Sequence, residues 1–165
     1  MNKRKRIIIF IFSIFFISTS IFASPPAPLS SEKEVQYQQI VLEEVNRYRS
    51  SKGLGKLILN EKISNEARQH SLNMAQKKIK FGHEDFDKRI IHIKKNIFAF
   101  GGGAENIACF KLPPDAVVQK WLTSRGHKRN IEGKYNLTGI GIVQDEKGWI
   151  YYTQIFVKEN RNAVT

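Results

Sequence analysis

Apolar residues recur with a different period in successive parts of the chain, and the period assigns the elements. From Ile7 to Phe22 they run almost unbroken. From Val35 through Ile40, Val41, Val45 and Tyr48 they return at helical spacing, out to about Ser50, behind Ser31 and Glu34 in a capping-box relation. Gly53 and Gly55 break this helix. Leu57-Ile58-Leu59 then reads as a short buried connector, and Asn60 as the cap of a second helix over about 61–78, with Ile63, Ala67, His70, Ser71 and Met74 on one face. Between Glu84 and Gly103 the pattern is weakest and no element is assigned. Gly101-Gly102-Gly103 reads as a flexible lead-in to Ala104-Glu105-Asn106, with Glu105 at a helix start. It lacks the later glycine, lysine and hydroxyl of a phosphate loop. Val117, Val118, Trp121 and Leu122 form the stripe of a helix begun at Pro113-Pro114-Asp115 and ended by Gly126, which leaves His127 on the loop beyond. Residues 138–143 and 149–157, rich in β-branched and aromatic types, flank the turn Asp145-Glu146-Lys147-Gly148 and predict a hairpin. Helices first and strands last predict an α+β domain in which helices cover a mainly antiparallel sheet.

Composition adds a compartment. The apolar run follows Lys3-Arg4-Lys5-Arg6, is short for a membrane span and ends at Ile21-Phe22-Ala23, so residues 1–23 read as a signal peptide cleaved before Ser24. A proline-bearing linker over 24–34, one domain over 35–158 and a short tail over 159–165 complete the expected organisation. Contact with a membrane is expected only through an uncleaved leader. The chain carries 27 basic and 15 acidic residues, a net charge of +12, and loss of the four leader cations leaves +8. A basic exported protein favours anionic partners at the cell envelope, namely anionic lipid, wall polymer or protein. Nucleic acid is disfavoured because the basic residues are scattered and no aromatic-interleaved motif accompanies them. Cys109 is the only cysteine, so no intrachain disulfide can form, and it reads as a small buried hydrophobe.

Four histidines carry the candidate chemistry. His70 lies on an apolar stripe and reads as a core residue with one hydrogen-bond partner, and His92, set among isoleucines, reads as structural. His83 follows Phe81-Gly82 just past a helix end, as His127 follows Gly126. His83-Glu84 begins like a metalloprotease helix motif, but Asp87 stands where the second histidine is required. Asn136-Leu137-Thr138 fits a glycosylation sequon, which matters only in a eukaryotic host.

Asn46-Arg47-Tyr48-Arg49, Ala67-Arg68-Gln69-His70, Phe81-Gly82-His83, Ala104-Glu105-Asn106-Ile107-Ala108, Trp121 to Ile131, Gly139-Ile140-Gly141 and Tyr152-Thr153-Gln154 follow one another in an order that resembles the CAP superfamily. That is the SCP-like group of cysteine-rich secretory proteins, antigen 5 and plant pathogenesis-related proteins of class 1. The resemblance spans about 35–157 and is to the bacterial branch. It implies a three-layer α-β-α sandwich around a cleft lined by two histidines and two acids that can hold a divalent metal such as zinc. Carried over, His83 is the first histidine and Glu105 the first acid. Ser124 stands in place of the second acid, Tyr151 in place of the second histidine of the eukaryotic pattern, and His127 is the histidine of the bacterial pattern. His83, Glu105 and His127 are the right types for a zinc site, since two neutral imidazoles and one carboxylate leave a fourth position open for water, and His83 and His127 are the expected metal ligands. The expected function is an envelope binding module for a lipid, glycan or protein. The alternative is a metal-dependent hydrolase of peptide or wall substrates working in the same cleft.

Overall fold

A computed structural model describes residues 29–160, and the expected signal peptide therefore lies outside the described residues. Helix α1 spans Ser31–Ser51. Its cap is Ser30, whose hydroxyl accepts from the Lys33 amide at 3.2 Å, so the expected capping box at Ser31 and Glu34 is displaced. Glu34 is instead taken by Arg68, 2.7 Å away on helix α2, Glu61–Ala75. Between these helices, Ile58–Leu59 forms strand β1 rather than a buried connector, with Ile58 exposed. Asn60 caps α2 as expected, accepting from the Ile63 amide at 3.2 Å. The helix stops at Ala75 because Lys77 turns left-handed at φ 56°, and the Lys78 amide reaches back to the Asn73 carbonyl at 2.9 Å.

The stretch left unassigned from the sequence contains helix α3, Phe86–Lys94, followed by strand β2, Phe100–Phe110. Gly101, Gly102 and Gly103 thus lie in a strand, at a register irregularity between Phe100 and Gly103, and Glu105 sits in mid-strand rather than at a helix start. A Cβ on Gly103 would come within 2.9 Å of the Phe156 carbonyl, so the bulge needs glycine there. Helix α4, Pro114–Thr123, breaks at Ser124, and helix α5, Arg125–Ile131, begins at once. Gly126 therefore lies in the first turn of α5, where glycine is tolerated, and His127 is a helical residue. Strands β3, Leu137–Gln144, and β4, Ile150–Glu159, form the predicted hairpin, with Asp145 Oδ1 accepting from the Lys147 and Trp149 amides at 2.9 Å each.

The strand order is β1-β3-β4-β2, antiparallel except for β1 against β3. Alternation along the strands feeds two cores. On one face, Ile140, Ile142, Tyr152 and Phe156 pack with Val41 and Val45 of α1, Val117, Val118 and Trp121 of α4, and Ile131 of α5. On the other, Leu137, Ile155 and Val157 meet Ile63 and Ala67 of α2, and Ile93 and Ile97 at α3. The result is the expected three-layer sandwich. Gly139 and Gly141 of β3 set the depth of the second layer. A Cβ on either would enter the α2 backbone at Ile63-Ser64 or Ala67-Arg68. Helix α5 lies along the outer margin of β2, where Asn130 Nδ2 donates to the Glu105 carbonyl at 3.1 Å and Trp121 Nε1 to the Ile107 carbonyl at 3.2 Å. Among the described residues no helix is long and apolar enough to cross a membrane.

Candidate functional site

Strand β2 carries Glu105 into the layer of α2 and α3, where its side chain is 1% exposed. A carboxylate so enclosed needs a cation, and Arg89 of α3 supplies one bidentately, with Nε to Oε2 at 2.9 Å and Nη2 to Oε1 at 2.7 Å. The remaining Arg89 nitrogen, Nη1, donates to the Glu84 carbonyl at 2.7 Å and so ties down the turn that follows His83. His83 completes the cluster, its Nδ1 donating to Glu105 Oε1 at 2.8 Å. That bond orients the ring, which is 52% exposed, and leaves Nε2 outside it.

His70 supports the turn from below. Buried on α2, it donates from Nε2 to the Gly82 carbonyl at 2.9 Å and stands 3.9 Å from Glu105 Oε1. Burial first, and then the Arg89 charge, push its imidazole below the ordinary histidine value. It is the core histidine with a single hydrogen-bond partner that its position on the stripe implied. His92 lies on the exposed side of α3, 3.6 Å from Glu66.

His127 enters from the other side of β2. Its carbonyl accepts from Asn106 Nδ2 at 3.1 Å, Asn106 Oδ1 accepts from Asn130 at 2.9 Å, and its ring leans on Trp121 with centroids 6.3 Å apart. Burial, and then the charge of His83, push His127 below its ordinary value. Ser124 occupies the break between α4 and α5 in extended conformation, and its hydroxyl has no hydrogen-bond partner among the described residues. Tyr151 belongs to a neighbouring patch. It shares a hydrogen bond with Cys109, burial pushes its hydroxyl up to about 12, and its ring lies 6.5 Å from Phe81. Cys109 is half-buried rather than fully buried, with burial pushing its thiol up.

The fold thus joins His83 to Glu105 and ties His127 to Asn106, the next residue of β2, while Ser124 and Tyr151 remain outside this bonded cluster. As a zinc ligand set the three do not fit. Both Glu105 oxygens are engaged by Arg89, and no group of three or more His, Cys, Asp or Glu able to hold a metal ion occurs among the described residues. The carboxylate serves instead to orient His83. Arg89 and Asn106 were not singled out from the sequence. Arg89 lies four residues before Ile93, on the same face of α3, and that spacing is the one signal that would mark its burial.

Residues 42–156 match the family described as the cysteine-rich secretory protein family, CAP. Over 141 residues the chain is 32% identical to an uncharacterized protein, YkwD, of Bacillus subtilis, covering 84% of this chain and 52% of the relative. It is also 29% identical to an uncharacterized membrane protein, YlbC, of the same organism, of which it covers 39%. The chain therefore spans about half, or less, of the curated relatives it matches. Among solved structures, an extracellular protein containing an SCP domain from Bacillus anthracis superposes with TM-score 0.68 at 26% identity, covering 81% of this chain and 45% of that one. An outer surface protein from Borrelia burgdorferi superposes with TM-score 0.69 over 81% of this chain and 98% of its own, and at 17% identity it speaks for the fold alone. The extent of the family match, on a sandwich that joins His83 to Glu105, assigns this chain to the CAP family of cysteine-rich secretory proteins.

Proposed function

We propose that the protein is an exported binding module of the cell envelope, with a cleft around His83 that takes a polar ligand from the wall, a glycan or a peptide. The observation that carries the reading is the His83–Glu105 bond. It leaves an exposed, oriented Nε2 acceptor backed by a carboxylate already neutralised by Arg89. Such an acceptor selects a hydroxyl or amide donor on the ligand. No hydroxyl or thiol nucleophile is hydrogen-bonded to either cleft histidine among the described residues, which favours binding over turnover. Export is supported by the basic, apolar leader, and by the extracellular setting named for the Bacillus anthracis neighbour. The same buried carboxylate beneath an imidazole could orient a general base, and that observation keeps hydrolysis as the second reading.

The test titrates the protein with soluble peptidoglycan fragments while following the ring signals of His83 and His127 by NMR, beside a chromatographic search for products. Saturable shifts, an affinity weakened about tenfold by His83→Ala, and no products are expected. Products that vanish in His83→Ala would replace binding with hydrolysis, and an absence of shifts would reject the ligand class.

A further inference from the structure

The groove between the C-terminal end of α2 and Tyr151 is a hollow of about 520 Å³, and His83 is not among its lining residues. Lys77, Lys78 and Lys80 line it, with Phe81 and Tyr151 as an aromatic wall and Glu84 as the one acid. None of the three lysines is in an ion pair or a side-chain hydrogen bond among the described residues. By contrast, Lys88 is held by Asp85 at 2.8 Å and Lys128 by Glu132 at 4.0 Å. Phe81 is 55% exposed, a large apolar surface left uncovered beside those cations. Lys77 also occupies, at φ 56°, the position just past the helix where glycine ordinarily sits, so a cation is kept there at a backbone cost of about 1 kcal/mol.

We propose that this groove binds a linear phosphodiester polymer of the envelope, a chain of alternating phosphate and polyol units. The lysines meet the phosphates, and the Phe81–Tyr151 wall meets the carbon faces of the polyol. The net charge of +8 that remains without the four leader cations supplies the long-range attraction. Shape favours a polymer over a bilayer. Phe81 and Tyr151 line one hollow, with ring centroids 6.5 Å apart, so the aromatic surface forms part of a groove that suits a thread. The site is separate from the His83 acceptor and shares with the proposed function only its premise that the protein works in the envelope.

Binding of the purified protein to poly(glycerol phosphate) tests this, beside vesicles containing phosphatidylglycerol. The parent protein is expected to bind the polymer with an affinity that falls as salt rises. Changing Lys77, Lys78 and Lys80 together to Gln should weaken it about tenfold or more and flatten the salt dependence. Phe81→Ala should also weaken binding, whereas His83→Ala should leave it within about twofold, which separates this groove from the cleft. All these positions except His83 lie outside the buried Arg89–Glu105 cluster, and unchanged thermal unfolding checks that each variant is folded. Equal affinity in the triple variant, or binding to vesicles with none to the polymer, would overturn the proposal.

Discussion

Glu105 shows how one residue's burial decides a site's chemistry. Beside Arg89, it becomes the fixed end of a charge pair that aims His83, and it is no longer available as a ligand. Removing its charge should therefore cost stability as well as binding. Glu105→Gln leaves the Arg89 guanidinium buried without its counter-charge, and a loss of about 3–5 kcal/mol in urea unfolding is expected. The two depressed imidazoles give a pH dependence of definite sign. His70 and His127 bind protons less readily folded than unfolded, so stability is full above the unfolded value of about 6.5 and falls on acidification. The melting temperature should drop between pH 7.5 and 5.5, and His70→Gln, which keeps a donor toward Gly82, should make that drop smaller. His83 and Glu105 were legible in the sequence only through their motifs, because each lies 22 residues from the next candidate and nothing local joins them. Arg89 was not, since it sits in the stretch where the apolar pattern is weakest and reads there as one surface cation among several.

The elements divide along the same physical line. The β3–β4 hairpin was legible because alternation and the Asp145 turn agree. Helix α3 was not, being nine residues long and entered through Asp85 in a left-handed conformation, without a side-chain cap. The end of α4 was misplaced by two residues because Gly126 resembles a stop, whereas the break falls at Ser124 and α5 resumes through glycine. No periodicity marks Gly139 and Gly141 either, yet they decide how closely α2 lies on the sheet. Gly141→Ala would press a methyl group into the α2 backbone, where no flexible side chain can yield, and should destabilise by about 3 kcal/mol or more in denaturant unfolding. A methyl at Gly126, with nothing within 4 Å, should be tolerated and is the matched control.

At the scale of the molecule, Arg49 is the joint between layers. Buried on α1, it donates to the carbonyls of Gly55, Ile131, Gly133 and Tyr135, and so fastens α1 to the chain entering β1 and to the segment that leads from α5 into β3. Arg49→Met would keep the bulk but strand those acceptors, and a loss of about 3 kcal/mol or more, with looser α5 amides in hydrogen exchange, is expected. The amide of Asn136 is committed in the same region, donating to and accepting from the Glu159 backbone at 2.9 and 2.8 Å, so the sequon it heads is not open to modification once folded. The outer margin of β2 has a consequence for how copies of the molecule meet. A bare edge strand is a template on which other chains can add, and here the outward carbonyls of Glu105 and Ile107 are already spent on Asn130 and Trp121. Two acceptors in the middle of that strand are thereby withheld from an incoming one, which guards copies of the molecule against zipping into fibres.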